Sequence, residues 1–360
     1  MMEGNHIKIN EWLLPLSWLY GIGSEARNML FDTGILSSKK YNIPIISVGN
    51  ITVGGTGKTP HIEYLVRLLS ERYKVAVLSR GYKRRSRGYV LAQADTPMEK
   101  IGDEPWQIKQ KFPEAYVAVD ANRRNGIERL ISDEETRDVQ VILLDDAYQH
   151  RYVTPKLNIL LIDYHRMITE DRLLPAGRLR ERASNKIRAN MVIVTKCPRD
   201  LTPIGYRVVQ QTLHLKPYQS LFFSTFKYKN LKKLFGEGEI RLEQLRKENM
   251  HVLLVTGIGN PNQMEQDMRK FAQYVTPLSY PDHHYFTAKD AKVINRAAQK
   301  MQKPMIIVTT EKDASRLRNL KGLDETVRDN LFVFPIEIEI LKNKETILNE
   351  QIINYVHKNS

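Results

Sequence analysis

The sequence predicts a doubly wound α/β fold, in which a mostly parallel sheet is accompanied by a second, smaller α/β domain. Three observations carry that expectation. Apolar, β-branched runs at 43–48, 75–78, 116–119, 139–144, 158–162 and 191–194 alternate with segments of helical periodicity. A glycine-rich turn follows the first of these runs. Near residue 215 the chain changes character, and a second alternating pattern begins at residue 251. Continuous apolar runs of this length suit strands covered on both faces, as parallel strands are.

The first run leads through Ile45-Ile-Ser-Val-Gly-Asn-Ile-Thr-Val-Gly-Gly-Thr-Gly-Lys-Thr59 into Pro60, which reads as strand, turn and helix start. Such a turn aims successive backbone N–H groups inward at the positive end of a helix dipole. Thr52, Val53, Gly54, Gly55, Thr56, Gly57, Lys58 and Thr59 are therefore the expected ATP-binding residues. Lys58 brings a mobile charge to the β- and γ-phosphates, and the Thr59 hydroxyl is a ligand for Mg²⁺. One position departs from the usual pattern, because Thr52 stands where a glycine is expected. Ile62, Leu65, Val66 and Leu69 then recur at helical spacing and give one core-facing stripe. These features make the expected fold P-loop NTPase-like.

A second nucleotide signature is Val141-Ile-Leu-Leu-Asp-Asp146. An acidic residue at the end of a buried strand is where P-loop enzymes hold Mg²⁺. Either Asp145 or Asp146 faces the metal, directly or through water; the alternative is that the pair caps the following turn. Just beyond lies the polar cluster Tyr148-Gln-His-Arg151, with Gln149 and His150 in the expected cleft. Gly102-Asp-Glu-Pro105 sets the carboxylates of Asp103 and Glu104 in a turn before a helix. Asp103 there is either a helix cap or a base toward an acceptor hydroxyl. Pro281-Asp-His-His284 puts two histidines beside a carboxylate, either as a structural pair or, brought to Asp103 across a cleft, with His283 tuning the base. Pro175-Ala-Gly-Arg-Leu-Arg-Glu181 offers Arg180 to phosphate and Glu181 to the neighbourhood of Mg²⁺.

The expected division is an N-terminal interfacial helical segment at 1–40, a P-loop core at 41–215, a linker at 216–250 and a smaller α/β domain at 251–360. The last begins with His251-Val-Leu-Leu-Val-Thr-Gly-Ile-Gly-Asn-Pro261 and is expected to close over the active site. Its Gly257 and Gly259 suggest a dinucleotide fingerprint, but the third glycine is missing, so a tight strand-to-helix turn is the expectation.

At 360 residues, 42% hydrophobic and 27% charged, the chain has a soluble globular composition with material for a real core. A single cysteine, Cys197, excludes a disulfide framework and a multi-cysteine zinc site, and fits a reducing compartment. No signal-peptide pattern opens the sequence. The net charge of +14 points to an anionic partner: nucleic acid, a membrane surface or a phosphorylated substrate. Much of it clusters at Arg80, Lys83, Arg84, Arg85 and Arg87, at Arg123 and Arg124, and at Arg178, Arg180 and Arg182. A basic surface that serves solubility is the bland alternative. No nucleic-acid-binding module pattern is present. The aromatic stretch Trp12-Leu-Leu-Pro-Leu-Ser-Trp-Leu-Tyr-Gly-Ile-Gly-Ser24 is shorter than the roughly 20 apolar residues a bilayer requires. It lies in a membrane interface or docks on the protein's own core; it does not span.

Taken in order, these blocks resemble the tetraacyldisaccharide 4′-kinase family. The resemblance rests on Leu13-Leu-Pro-Leu-Ser-Trp-Leu-Tyr-Gly, the glycine-rich turn and Leu78-Ser-Arg-Gly-Tyr-Lys83, followed by Gly102-Asp-Glu-Pro105 and Asp145-Asp-Ala-Tyr-Gln-His150. It continues through Leu174-Pro-Ala-Gly-Arg-Leu-Arg-Glu181 and Pro281-Asp-His283 to Thr310-Glu-Lys-Asp313. It implies transfer of the ATP γ-phosphate, with Mg²⁺, to the 4′-hydroxyl of a tetraacylated glucosamine disaccharide 1-phosphate, giving lipid IVA. The implied place is the cytoplasmic face of the inner membrane, with the lipid substrate and an anionic surface as partners and neither nucleic acid nor a required protein partner. The resemblance makes Asp103 the base and His283 its partner, with Thr59, Asp145, Asp146 and Glu181 on the metal side. Asn50, Arg80, Tyr82, Glu104, Arg123, Gln149, His150 and Arg180 are its substrate or phosphate residues. Ala147 and Tyr148 depart from the family's usual glycine and phenylalanine. The alternatives are a P-loop kinase of a soluble small molecule and a nucleic-acid-binding ATPase.

Overall fold

The computed structural model describes Ile7 and residues 9–359; the rest of the 1–40 segment's first eight residues, where a signal peptide was not expected, lies outside the described residues. The chain divides into two units, one built from 1–226 and 338–360 and the other from 227–337.

The first unit opens with a one-turn 3₁₀ helix and α1 (Leu14–Asp32). The apolar runs then become β1 (Ile45–Gly49), β2 (Val75–Ser79), β3 (Val90–Leu91), β4 (Tyr116–Val119), β5 (Val141–Asp145), β6 (Leu157–Asp163) and β7 (Met191–Thr195). Between them run α2 (Lys58–Ser70), α3 (Met98–Ile101), α4 (Asp103–Lys111) and α5 (Arg123–Ser132), and α6 (Pro203–Leu213) follows β7. β8 (Ser220–Tyr228) and β15 (Ile336–Ile340) complete a nine-stranded sheet in the order β15-β8-β7-β6-β1-β5-β2-β4-β3. The pairings from β4 across to β8 are parallel, and β3 pairs with β4 antiparallel.

β1 is the point where the sheet is wound both ways, with β5 on one side and β6 on the other. Its Ile46 and Val48 join the apolar stripe of α2 (Ile62, Leu65, Val66, Leu69) and α12 (Glu345–His357) in one core. Ile45 turns to the opposite face and packs with Ile127 and Leu130 of α5. Strands covered on both faces explain the continuous apolar runs.

The second unit holds a six-stranded sheet built from β9 (Leu231–Lys233), β10 (Glu239–Ile240), β11 (His251–Thr256), β12 (Tyr274–Ser279), β13 (Met305–Thr310) and β14 (Leu331–Phe334), in the order β10-β9-β14-β13-β11-β12. Its helices are α7 (Leu242–Lys247), α8 (Pro261–Arg269), α9 (Ala288–Gln299), α10 (Glu311–Leu317) and α11 (Glu325–Asp329). The four strands β12, β11, β13 and β14 are parallel neighbours.

The structure moves two expected boundaries. The 216–250 stretch is no linker: Phe222 and Phe223 of β8 are core residues of the large sheet, and the aromatic character of this stretch reflects a buried strand. The domain expected over 251–360 ends at Glu337, because α12 belongs to the first unit, where Tyr64 Oη donates to Asn349 Oδ1 at 2.6 Å and Tyr355 Oη to the Ile45 carbonyl at 3.2 Å.

Candidate active site

The carboxyl end of β1 places the glycine-rich turn in the sheet's crevice, where doubly wound folds bind their ligands. Gly49 closes the strand beneath Tyr148; a Cβ there would stand 2.8 Å from Tyr148 Cβ. Asn50 is fully buried, donates from Nδ2 to Thr56 Oγ1 at 2.8 Å and accepts from Gln149 Nε2 at its carbonyl at 2.7 Å. Thr52 forms an antiparallel bridge with Leu179, flanked by Arg180 N–H to the Ile51 carbonyl (2.7 Å) and Val53 N–H to the Arg178 carbonyl (2.7 Å). An extended, paired residue needs no glycine, which accounts for the Thr52 irregularity. Gly57, at φ +84°, is the N-cap of α2 and supplies no side-chain cap. The first N–H groups of a 13-residue helix, which have no intrahelical partner, are left to an anion.

Facing this turn is the end of β5. Asp146 sits in the left-handed region (φ +49°), 3.6 Å from Lys58 Nζ and 3.2 Å from Arg180 Nη1. Burial works against ionisation of Asp146, but Lys58 and Arg180 outweigh it and hold the carboxyl below the usual carboxylate range. Asp145 is 2% exposed; its Oδ2 accepts from Ser79 Oγ at 3.0 Å, and its Oδ1 has no hydrogen-bond partner. Burial, then the charges of Glu104 and Asp146, push its pKa up. A buried, partnerless carboxylate oxygen and the Thr59 hydroxyl in the first turn of α2 are hard oxygen donors of the kind Mg²⁺ takes. Among the described residues, no group of three or more His, Cys, Asp or Glu side chains could hold a metal alone.

Asp103 is the first residue of α4, with Gly102, which has no side chain to offer, as the N-cap. The Asp103 carboxylate accepts from the Glu104 N–H at 3.1 Å. Arg80 and Tyr82 lie in the loop after β2, where Tyr82 is 60% exposed. His150 is half-buried with Nε2 unpartnered, and its pKa is lowered to about 4 by burial and then by the arginines around it, Arg123 foremost.

Two of the expected site residues also have partners inside the fold. Glu181 is buried; its Oε2 accepts from Arg188 (2.7 Å), Asn185 (3.1 Å) and Asn28 of α1 (3.2 Å), while its Oε1, like Asp145 Oδ1, has no hydrogen-bond partner. Arg123 is turned away from solvent. At 2% exposure it donates to the backbone carbonyls of Asp120 (2.5 Å) and Asp145 (2.9 Å), clamping the turn that presents Asp146. Tyr148, at one of the departures from the family pattern, is buried and donates to the Asn185 carbonyl at 2.8 Å.

Sequence reasoning missed His61, Ser79 and Thr195. His61 lies under the turn, with Nδ1 at 2.7 Å from the Gly57 carbonyl and Nε2 at 3.0 Å from Ser224 Oγ. Thr195 Oγ1 donates to the Thr56 carbonyl at 2.9 Å. The available signal was a polar residue closing an otherwise apolar strand, as Ser79 and Thr195 do.

α1 answers to both readings of the aromatic segment. Ser17, Gly21, Asn28 and Phe31 are its buried residues. Ser17 Oγ donates to the Leu173 carbonyl (3.0 Å) and Tyr20 Oη to the Arg180 carbonyl (3.0 Å), while Arg27 reaches the Gln149 carbonyl (3.0 Å). Its outer face exposes Leu16, Trp18, Leu19, Ile22 and Met29, and Trp12, in the 3₁₀ turn before it, is 94% exposed. No described helix is long and apolar enough to cross a membrane.

In the second unit His283 has φ +61° and its ring lies between Lys312 and Arg316, at 3.1 and 3.2 Å. His284 points elsewhere, to Asp290 at 3.1 Å.

Residues 9–356 match the family model for tetraacyldisaccharide-1-P 4′-kinase. The chain is 52% identical to the tetraacyldisaccharide 4′-kinase of Phocaeicola vulgatus, over 100% of this chain and 98% of that protein. It is 50% identical to the enzyme of that name from Bacteroides fragilis, over 100% of this chain and 96% of that protein. Its fold is similar to a crystal structure of LpxK from Aquifex aeolicus in complex with ATP, with a TM-score of 0.72 and 28% identity, covering 96% of this chain and 98% of that one.

Proposed function

The chain belongs to the tetraacyldisaccharide-1-P 4′-kinase family, and from that premise we propose that it transfers the γ-phosphate of ATP to the 4′-hydroxyl of a tetraacyldisaccharide 1-phosphate, giving lipid IVA, at the cytoplasmic face of the inner membrane. The observation that carries this reading is the uncapped N-terminus of α2 facing the Lys58–Asp146–Arg180 cluster, in a unit whose first helix turns Trp18 and several large aliphatic residues outward.

Residues 52–59 hold the triphosphate, with the backbone N–H groups at the start of α2 and Lys58 Nζ as donors. Asp146 keeps Lys58 and Arg180 in place until phosphate oxygens take over both cations. Thr59 and Asp145 would hold Mg²⁺, which would supply charge neutralisation to the transferring phosphates. Asp103 accepts the proton of the 4′-hydroxyl as its oxygen bonds to the γ-phosphorus. The bond from the γ-phosphorus to the bridging oxygen breaks, and ADP carries away that electron pair. His283 serves the same proton transfer. Asn50, Arg80, Tyr82, Glu104, Gln149 and His150 line the acceptor side, Arg123 braces the turn that presents Asp146 on the phosphate side, and Glu181, with its Oε1 partnerless, belongs to the metal side.

The exposed aromatic face of α1 suits a headgroup boundary, and the net charge of +14 suits an anionic leaflet. The test is incubation of the full chain with labelled ATP, Mg²⁺ and tetraacyldisaccharide 1-phosphate in detergent. Label should appear in a bisphosphorylated lipid. Labelling of a soluble acceptor with none in the lipid would overturn the substrate. Flotation with anionic phospholipid vesicles tests the surface: Trp12→Glu/Trp18→Glu should stay in the soluble fraction, and unchanged flotation of that variant would remove α1 from the membrane reading.

A further inference from the structure

The glycine turn is held from beneath by side chains that have no part in the transfer as described. His61, in the first turn of α2, is 3% exposed. Its Nδ1 lies 2.7 Å from the Gly57 carbonyl and its Nε2 3.0 Å from Ser224 Oγ of β8. Gly57 rests on the same floor: a Cβ there would stand 3.4 Å from Phe226 Cζ and 3.6 Å from His61 Nδ1. One residue earlier, the Thr56 carbonyl accepts from Oγ1 of Thr195, the last residue of β7, at 2.9 Å. Thr195 and Ser224 are both fully buried.

The two contacts of the His61 ring are chemically compatible. A backbone carbonyl only accepts, so Nδ1 carries the proton of the neutral ring, and the Ser224 hydroxyl donates to the lone pair left on Nε2. The direction of the amides follows from the peptide bond. A trans peptide unit is planar, and its C=O and the N–H that follows point opposite ways. The Gly57 carbonyl is drawn to His61, so the Lys58 N–H points away from the floor. The Thr56 carbonyl is drawn to Thr195, so the Gly57 N–H points away from β7. Gly57, left-handed at φ +84°, joins these two peptide units as the backbone of an anion-binding nest requires. Among the described residues neither N–H has a hydrogen-bond partner.

We propose that His61 and Thr195 are positioning residues for the phosphate-binding amides: each pins one carbonyl of the turn and thereby points the next N–H at an oxygen of the polyphosphate. Ser224 holds the His61 ring from its far side. This rests on the reading of residues 52–59 as the triphosphate site. A loose glycine turn would have to order its amides when the ligand arrives and would lose affinity in doing so, whereas a pinned one is ordered beforehand. The two aimed N–H groups then add charge-assisted hydrogen bonds to the attraction of Lys58.

The experiment measures the binding of ATP and of inorganic pyrophosphate to the full chain by calorimetry, and follows the Gly57 and Lys58 amides in selectively ¹⁵N-labelled protein. In the parent, both ligands should bind and both amide resonances should move on binding. Thr195→Val keeps the side chain's shape and removes the donor. It should raise Kd for ATP and for pyrophosphate by the same factor, about 10-fold, and shrink the ligand-induced shift of the Gly57 amide. Pyrophosphate has no nucleoside, so an equal factor marks a loss at the phosphates. The two ring nitrogens of His61 can be separated as well. Asn places an N–H donor near the position of Nδ1, and Gln places one near Nε2. His61→Gln should therefore weaken both ligands by about 10-fold and shrink the Lys58 shift, while His61→Asn and Thr195→Ser should recover most of the affinity. If one variant fails to fold, the other bears the same test, because each acts on a separate carbonyl. Unchanged Kd and unchanged amide shifts in folded Thr195→Val or His61→Gln would overturn the proposal, as would a loss for ATP with none for pyrophosphate. A parent that binds neither ligand would refute the triphosphate reading, while the ligand-free amide resonances of the variants would still decide whether His61 and Thr195 orient the turn.

Discussion

Each unit has a glycine-rich turn between a buried parallel strand and a helix, and the two turns use their backbone donors differently. In the first, after β1, the N-cap of α2 is Gly57, left-handed and without a side-chain cap. In the second, after β11, Asn260 caps α8 by accepting from Gln263 N–H, and Gly257 gives its N–H to Asp313. A Cβ on Gly257 would lie 3.1 Å from Asp313 Oδ1, so its glycine serves close packing, whereas Gly57 serves a backbone angle. A glycine-rich turn becomes an anion site only where the chain leaves its N–H groups without internal partners. Two sequences of similar look differ because one is followed by its own cap and the other is not.

The comparison can be broken at several points. The largest effect is expected at Asp103→Asn, where turnover should fall by about 10²- to 10⁴-fold with ATP affinity retained. Near-normal turnover there would mean that the chemistry does not reside where the free donors are. Lys58→Ala should lower transfer by about 10²- to 10³-fold, through lost stabilisation of developing charge; steady-state kinetics at saturating substrate would show it. His61 beneath the first turn gives a pH signature. Burial lowers its pKa from 6.5 to about 4, so the folded state favours the neutral ring while the unfolded chain takes up a proton. Stability should therefore be lost as pH falls from 6.5 toward 4, by on the order of 3 kcal/mol from this group. Denaturant titrations should show a shallower acid limb in His61→Gln, and an identical limb would exclude His61 as its source. Gly57→Ala should cost about 1–2 kcal/mol of left-handed strain and weaken ATP binding, as calorimetry would report. The smallest change is expected at Asn260→Ala, about 1 kcal/mol of stability with ATP affinity untouched. A loss of ATP affinity there would erase the distinction between the turns.

Much of this was legible in the sequence because it depends on neighbours along the chain. Six apolar runs became strands, and the turn at 52–59 and the Asp145–Asp146 pair stand at the ends of adjacent parallel strands. What escaped depends on partners distant in sequence or on side-chain direction. Glu181 Oε2 is held by Asn28, far away in the sequence, and by Arg188. The Arg123 guanidinium turns inward to two backbone carbonyls, a direction that no sequence pattern gives. α1 read as either membrane-facing or core-facing, whereas its buried Ser17, Gly21, Asn28 and Phe31 and its exposed Leu16, Trp18, Leu19, Ile22 and Met29 occupy separate faces. Nothing in composition marks Glu337 as a boundary, since β15 runs straight through it.

That boundary has a consequence for how the chain is made. β8 leaves the first unit and β15 returns to it, so residues 227–337 must leave the ribosome before β15 and α12 exist. At about 5–20 residues per second, that is a wait of roughly 5–20 s. During it the large sheet ends at β8 with an open edge, and the α2 face of the core lacks Leu348, Ile352 and Val356. The nucleotide-binding half of the protein is thus begun first and finished last. A nascent chain stalled before residue 338 should be a substrate for chaperones and not yet a kinase.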